Sequence, residues 1–299
     1  MSNLPINPEV MRWARESAGL SIDDVVEKMK RKGVTADVVA AWEEGGKSPS
    51  YPQLERLAYE IYRRPLAIFF FPQPPEELTP EQSFRTLPES EIGLLSPRIR
   101  YLFRKAAALQ LNLSELHDGS NPAERQIVKE IDFDPKTSMT EILQRVWDFL
   151  SVDLKKPIDL ENSEPAVEFW RERLERFGVS VFEDAFEDDT LSGFCLYDDE
   201  FPLIYVNNSM SFNRQIFTLF HELAHLLFKT GGVDINKKGR FDSFEGDGHP
   251  IEISCDEFAA EFLVSPRHKS GFIHIIRHQS AIDGEANESK TPKRRAVRE

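Results

Sequence analysis

Residues 221–225 read HELAH, which places two imidazoles and a carboxylate within one helical turn of each other. The residues around them are apolar at helical spacing, so the stretch is predicted to be a buried helix. Side chains four residues apart share a helix face, which lets His221 and His225 offer nitrogens to one zinc ion. Glu222 lies beside that face and could accept a proton from a water molecule that the metal acidifies. The pattern therefore predicts a zinc-dependent hydrolase with Glu222 as the general base.

A zinc hydrolase needs a third protein ligand and one open coordination position. Downstream, the stretch that begins at Pro250 predicts a second helix, with Glu252 and Asp256 four residues apart on one face. Glu252 is the predicted third ligand, and Asp256 is placed to accept the other ring N–H of a ligand histidine, most readily His221. His249 ranks second as a ligand, because it precedes the proline in a predicted loop. The remaining candidates nearby are Glu245, Asp247, Cys255 and Glu257.

Simpler interpretations of these residues remain open at this point. The histidines could be core residues in a chance match to a short motif, and the two downstream carboxylates could form a solvated helix face. Against the first interpretation, two histidines and a glutamate are costly to bury on so apolar a helix unless they have partners. The ligand types favour zinc over manganese or iron.

Length and composition limit the class of protein. The chain has 299 residues, of which 40% are hydrophobic and 29% charged, as expected for a packed globular protein with more than one domain. Its formal net charge of -14 disfavours nucleic acid and anionic membranes as partners. Two cysteines and an N-terminus unlike a signal peptide favour a cytoplasmic protein. The apolar run over residues 65–72 is too short to span a bilayer.

The predicted elements that would position the site combine helices with a small sheet. Helical spacing predicts helices at 96–118, 138–150 and 165–177, and short apolar runs predict strands at 179–182, 191–197 and 202–206. We expect these strands to form a small antiparallel sheet before the HELAH helix. The strand at 202–206 could be an edge that pairs with an extended peptide, or a purely structural strand. The predicted fold class is α+β and mainly helical.

The first 71 residues show short helical patterns around one tight turn, which predicts a helix-turn-helix domain. The candidate recognition helix, 36–44, offers acids but no Arg, Lys, Gln or Asn to reach base edges. A protein-docking or dimerising module is therefore favoured, and DNA binding is kept as a minority interpretation. The predicted domain boundaries are 1–71 for the helix-turn-helix domain, 72–95 for a Pro-rich linker, 96–279 for a zincin-like metallopeptidase domain and 280–299 for a disordered tail.

Three features together resemble the ImmA/IrrE family of zinc peptidases: the helix-turn-helix pattern, the segment FFFPQPP, and HELAH followed by EISCDEFAAEFLV. The resemblance covers about residues 8–266. It implies zinc ligation by His221, His225 and Glu252, and catalysis by Glu222. It also implies cleavage of a transcriptional repressor, often itself a helix-turn-helix protein, to induce genes after stress. In two respects the chain departs from the family: an aspartate at 256 where many members have asparagine, and no long helical extension after residue 266.

Two functions follow from the sequence. The first is a zinc endopeptidase that acts on a protein substrate and has no membrane partner, with a homodimer left open. The alternative is a DNA-associated transcriptional regulator or antitoxin-like protein whose zinc fold binds a partner without proteolysis. Glu222→Gln should preserve folding and zinc in both cases, and should abolish function only in the first.

Overall fold

The computed structural model describes residues 4–77, 95–131, 133, 137–150, 163–229, 233–235 and 249–264, and the structural statements below concern these residues. The α+β, mainly helical prediction is confirmed for this part of the chain. Within it, none of the helices combines the length and the apolar character that a membrane crossing requires.

The N-terminal part is a cluster of short helices with its own hydrophobic core. Two of the helices begin at side-chain caps: Asn7 accepts a hydrogen bond from the backbone of Glu9 at 3.0 Å, and Ser21 forms a capping box with Asp24. The apolar faces meet in what we call the N-terminal core, which includes Trp42. The helices are α1 (Pro8–Ser17), α2 (Ile22–Met29), α3 (Ala36–Glu43) and α4 (Tyr51–Arg56), followed by a π-helical turn at Leu57–Ile61 and a 3-10 turn at Leu66–Phe70.

The α3 helix corresponds to the candidate recognition helix, and one of its acids is buried. Glu43 is 4% exposed and accepts two hydrogen bonds from Arg15, at 2.7 Å from Nε and 2.9 Å from Nη2. Asp37 and Glu44 remain exposed. The solvent-facing surface of α3 therefore carries acids that repel phosphates. The helix-turn-helix assignment itself stays a prediction.

The rest of the described chain places helices on both faces of a sheet. Its helices and strands are α5 (Pro97–Leu116), α6 (Ile127–Glu130), α7 (Met139–Leu150), α8 (Ser163–Arg176), β1 (Ser180–Asp184), β2 (Leu191–Leu196), β3 (Leu203–Asn207), α9 (Phe212–Leu227), β4 (Val233–Ile235) and α10 (His249–Val264). The predicted helices at 96–118, 138–150 and 165–177 match α5, α7 and α8 to within a few residues, which is the usual uncertainty of helix ends.

The sheet is mixed, so the prediction of an antiparallel sheet was wrong for one pairing. The strand order is β1-β3-β2-β4, with β2 antiparallel to β3 and to β4, and β1 parallel to β3. The parallel pairing arises because β3 lies between β1 and β2 in the sheet. All five residues of β3 are buried, as in a strand covered on both faces. The strand predicted at 202–206 is therefore central and cannot be a peptide-binding edge. Among the described strands the edges are β1 and β4, and β4 was not predicted.

Each face of the sheet packs against a separate hydrophobic cluster. On one face, Cys195, Ile204 and Val206 join residues of α6 to α10 in what we call the α9-side core. On the other face, Leu203 and Tyr205 join residues of α5 in what we call the α5-side core. Side chains that alternate along β3 thus supply both cores, as the two-residue period of a strand requires.

The predicted domain boundaries stay predictions. Residues 78–94 of the predicted linker, the whole predicted tail at 280–299 and the chain after Pro266 lie outside the described residues.

Candidate metal centre

The α9 helix buries the HELAH residues in its second half. Ser211 caps the helix by accepting a hydrogen bond from the backbone of Arg214. His221, Glu222 and His225 are 1%, 0% and 0% exposed, respectively. Burying three ionisable side chains on one apolar helix is costly unless they have partners, and the second helix, α10, provides partners for the two histidines.

The ligand atoms of three side chains converge at the contact between α9 and α10. The Nε2 atoms of His221 and His225 are 3.1 Å apart. Glu252, on α10, places Oε2 3.6 Å from His221 Nε2 and Oε1 3.3 Å from His225 Nε2. One ligand atom from each residue can be chosen so that all three lie within 4.8 Å of one another. Two imidazole nitrogens and one carboxylate oxygen form a donor set that suits a zinc ion with a fourth position left open.

The surroundings of Glu252 keep its carboxylate ionised. Burial by itself would raise the pKa of Glu252, but hydrogen bonds and charge interactions with His221 and His225 outweigh that effect and hold its pKa well below the usual range. A metal binds the ionised form of a carboxylate, and on binding it would replace the imidazole protons that face Glu252.

Asp256 contacts the outer side of the first histidine. Its Oδ1 lies 2.9 Å from His221 Nδ1, on the opposite edge of the ring from Nε2. At this distance Nδ1–H would face the carboxylate, and Nε2, which faces His225 and Glu252, would offer its lone pair once a metal ion replaces its proton. The geometry thus places Asp256 where the sequence predicted an orienting carboxylate.

The rival ligands of the sequence prediction divide into two groups. Within the described residues, Glu257 is exposed and Cys255 is buried, and neither joins the cluster of converging ligand atoms. Burial raises the pKa of the Cys255 thiol, and nearby carboxylates raise it further, which disfavours the thiolate that a metal requires. His249 is the first residue of α10, one position before the predicted start, and its side chain is outside the description. Glu245 and Asp247 lie outside the described residues.

Aromatic packing fixes the position of α10 against α9. The rings of Phe220, on α9, and Phe262, on α10, are stacked with centroids 4.1 Å apart, and Trp170 of α8 packs edge-on against Phe220 at 4.9 Å. Phe258 and Ala259 lie in the same α9-side core, as expected for the packing side of α10. Close-packed side chains thus hold the two site helices against each other.

A glycine that the sequence analysis missed lets α9 approach the sheet. A Cβ atom on Gly193 of β2 would lie 2.4 Å from Thr218 Cγ2 and 2.8 Å from the backbone oxygen of Tyr205. Thr218 is one helical turn before His221. Only glycine therefore fits where the site helix crosses β2. Its signal in the sequence is a glycine inside an apolar strand pattern, which often marks a close backbone approach.

The sequence analysis also missed a basic residue near the site. Arg214 Nε donates a hydrogen bond to Ser192 Oγ at 2.9 Å, and its guanidinium lies over the ring of Phe217 at 5.2 Å. The ring of Phe217 is in turn 6.2 Å from the ring of His221. The available signal was an arginine in the first turn of a helix, where the helix dipole disfavours a positive charge.

Comparison with curated proteins and with solved structures finds no match to this chain. A comparison with family models does find one, and it falls on the part of the chain that contains β1 to β4, α9 and α10. Residues 174–268 match the family model described as the IrrE N-terminal-like domain, Peptidase_M78, and this match supports a metallopeptidase in general.

Proposed function

We propose that the chain is a zinc-dependent endopeptidase in which His221, His225 and Glu252 hold the metal and Glu222 is the general base. The observation that carries the proposal is the convergence of three buried ligand atoms to within 4.8 Å, on two helices of the segment that matches a peptidase family model. Glu222 is adjacent in sequence to the first ligand and fully buried, as a base beside a metal must be if bulk water is to be excluded.

The side chains of the site divide the chemistry among them. When bound, zinc would supply Lewis acidity to the scissile carbonyl and to the attacking water. Glu222 accepts a proton from the water and passes it to the leaving amine. Asp256 holds the tautomer of His221 that presents Nε2 to the site.

We propose further that the substrate is a protein, a helix-turn-helix transcriptional repressor, and that its cleavage induces gene expression. The resemblance of the chain to the ImmA/IrrE family supports this substrate. The N-terminal helices are proposed to contact protein, because the solvent-facing acids of α3 favour a protein partner over DNA. A cytoplasmic location agrees with two cysteines, Cys195 and Cys255, that are both buried and unbridged.

The test compares the native protein with two glutamate variants during co-expression with candidate repressors. Glu222→Gln should bind zinc as the native protein does but yield no repressor fragments, because general-base catalysis contributes about 10²- to 10⁴-fold to the rate. Glu257→Gln changes an exposed carboxylate of α10 and should leave cleavage intact. Fragments are detected by mass spectrometry, and bound zinc by elemental analysis.

The outcomes separate the two functions. Equal cleavage by Glu222→Gln, or purified native protein that binds no zinc, contradicts the proposed mechanism. If no candidate is cleaved and gene induction persists in Glu222→Gln, the non-proteolytic regulator or antitoxin-like protein becomes the better explanation.

A further inference from the structure

A cavity with none of the candidate metal ligands in its wall lies along α5. Its volume is about 500 Å³, within the range of about 300–1,000 Å³ that is usual for small-molecule sites. The residues of α5 in its wall are three or four positions apart, so they share one helix face over a length of about 15 Å. The wall includes Arg104, Ala108, Leu111 and Ser114 of α5, together with Glu77 and Phe201.

Arg104 brings a positive charge to this cavity without forming an ion pair. It is partly buried, and its guanidinium donates to two backbone oxygens of the N-terminal part, those of Ser17 at 3.3 Å and Tyr62 at 3.2 Å. Within the described part of the chain, it forms no ion pair with a carboxylate. A guanidinium has five N–H donors, so donors remain for a further partner.

The surroundings of Arg104 are short of negative charge. Burial, and then repulsion by Arg64, lower the pKa of Arg104 to about 10, against the opposing attraction of Glu77. The carboxylate of Glu77 is already engaged, because its two oxygens accept hydrogen bonds from Arg64 at 2.5 and 2.9 Å. Two guanidiniums thus share one carboxylate, and an anion at this end of the cavity would be stabilised.

The wall changes in character with distance from Arg104. Ala108, Leu111 and Phe201 supply apolar surface, and Leu111 is 60% exposed. Gln110 lies about 9 Å from Arg104 along the helix axis and donates its amide N–H to the backbone oxygen of Phe201 at 2.8 Å. Its side-chain oxygen is left as an acceptor, and Asp198 adds a carboxylate to the same wall. These acceptors suit N–H groups of a ligand.

We propose that this cavity binds a small monocarboxylate with an apolar body and an N–H donor, of the class of N-acylated apolar amino acids, and that Arg104 binds the carboxylate. A phosphate ester fits less well, because it carries almost two negative charges and Glu77 and Asp198 also line the cavity. The inference goes beyond the proposed peptidase function and does not depend on it.

The test measures binding of defined probes to the full chain by isothermal titration calorimetry. The probes are N-acetyl-leucine and N-acetyl-phenylalanine, each paired with its C-terminal amide, which has a similar shape without the charge. N-acetylglycine lacks the apolar body, and phenyl phosphate carries the additional charge. At least one of the two apolar acids should bind about tenfold more tightly than its amide, the usual effect of a charge-assisted hydrogen bond. It should also bind more tightly than N-acetylglycine and phenyl phosphate.

Four variants locate the site. In Arg104→Gln the preference for the acid over the amide should be lost, and in Arg104→Lys, which retains the charge, part of it should remain. Ala108→Trp places a large side chain in the cavity from an exposed position and should abolish binding of acid and amide alike. Arg125→Gln removes an arginine that pairs with Glu130 outside the cavity and should behave as the native protein. Circular dichroism checks that each variant is folded.

Each contrary result overturns a stated part of the inference. If no probe binds the native protein, or if binding survives in Ala108→Trp, the cavity is not the site. Equal binding of acids and amides, or an unchanged preference in Arg104→Gln, overturns the role of Arg104. Tighter binding of phenyl phosphate overturns the monocarboxylate class. If Arg104→Gln does not fold, the lysine variant and Ala108→Trp decide. The metal centre is tested separately by Glu222→Gln.

Discussion

At the scale of single residues, the candidate metal centre has a contact outside the ligand set, between Asp256 and His221. Asp256 Oδ1 lies 2.9 Å from His221 Nδ1, and we propose that it selects which ring nitrogen carries the lone pair. Asp256→Ala should weaken zinc binding by about 10- to 100-fold, because the ring loses the acceptor that orients it. Asp256→Asn retains a carbonyl oxygen as an acceptor and should weaken zinc binding less than Asp256→Ala does. Zinc affinity is measured by competition with a chromophoric chelator.

The control for this prediction is Glu257→Ala, which removes the neighbouring exposed carboxylate and should leave zinc affinity unchanged. An Asp256→Ala protein with native zinc affinity would show that the orientation of His221 is fixed by packing alone.

The convergence of the three candidate ligands could be predicted from the sequence for a physical reason. The HELAH spacing is local, so one helical turn is enough to bring His221 and His225 together. Glu252 followed from a second helical pattern with a carboxylate pair on one face. The contact of Arg214 with Ser192 of β2 was not predicted, because no local pattern encodes a contact between a helix and a strand.

At the scale of elements, Gly193 allows α9 to pack close to the sheet. Gly193→Ala should destabilise the protein by about 1–3 kcal/mol, the usual cost of overpacking a core. It should also weaken zinc binding, because Thr218, which must move, is one turn from His221. Thermal denaturation and chelator competition measure the two effects. Gly46→Ala is the control, since a Cβ there would make only an ordinary contact of 3.7 Å with the backbone of Ala41. Loss of stability with native zinc affinity would limit Gly193 to a structural role.

The end of β1 is tied to α5 and β3 by a polar cluster that should make stability depend on pH. Lys105 Nζ is 2.6 Å from Asp184 Oδ2, and Tyr205 donates to the same oxygen at 2.9 Å. Burial would raise the pKa of Asp184, but these two hydrogen bonds outweigh it and hold that pKa below its usual value. A depressed carboxylate pKa gives stability that is present above the unfolded pKa of about 3.9 and is lost as the pH falls through the folded value.

Asp184→Asn should therefore lower the free energy of unfolding by about 1 kcal/mol at neutral pH. On acidification from about pH 5 to pH 2, the variant should lose less of this free energy than the native protein does. Urea denaturation across this range measures both, with the exposed Asp148→Asn as the control. The prediction is contradicted if the free energy of unfolding falls equally steeply with decreasing pH in the native protein and in Asp184→Asn.

The elements also show where sequence reasoning is weakest. The apolar runs located β1, β2 and β3 to within about two residues, as expected for element boundaries. The prediction that all pairings are antiparallel was wrong because β3 also pairs, in parallel, with β1, which is not its neighbour in sequence. A run of apolar residues does not indicate which strand it pairs with. The strand β4 has three residues, too few to show a periodic pattern.

At the scale of the whole molecule, the tryptophans report on two different hydrophobic cores. Trp13 and Trp42 belong to the N-terminal core, whereas Trp147 and Trp170 belong to the α9-side core that surrounds the candidate metal centre. A ligand whose free concentration is 100 times its Kd stabilises the folded unit that binds it by about 2.7 kcal/mol. Zinc should therefore raise the unfolding midpoint reported by Trp147 and Trp170 more than the midpoint reported by the other pair.

This prediction is measured by fluorescence in two variants, each with one tryptophan pair replaced by phenylalanine, with and without zinc. Equal shifts of both midpoints would show that the two cores unfold as one cooperative unit. No shift in either would argue against zinc binding by the native fold.

Because the side chains of β3 alternate between two cores, a shift in the register of this strand would disrupt the sheet. Ile204 and Val206 face the core beneath α9, and Leu203 and Tyr205 face the core beneath α5. A slide of β3 by a single residue would exchange the two sets, turning the Tyr205 hydroxyl toward α9 and away from Asp184. Misregistered chains would thus lose both cores at once, so the burial pattern of β3 favours the one register in which α5 and α9 can both pack on the sheet.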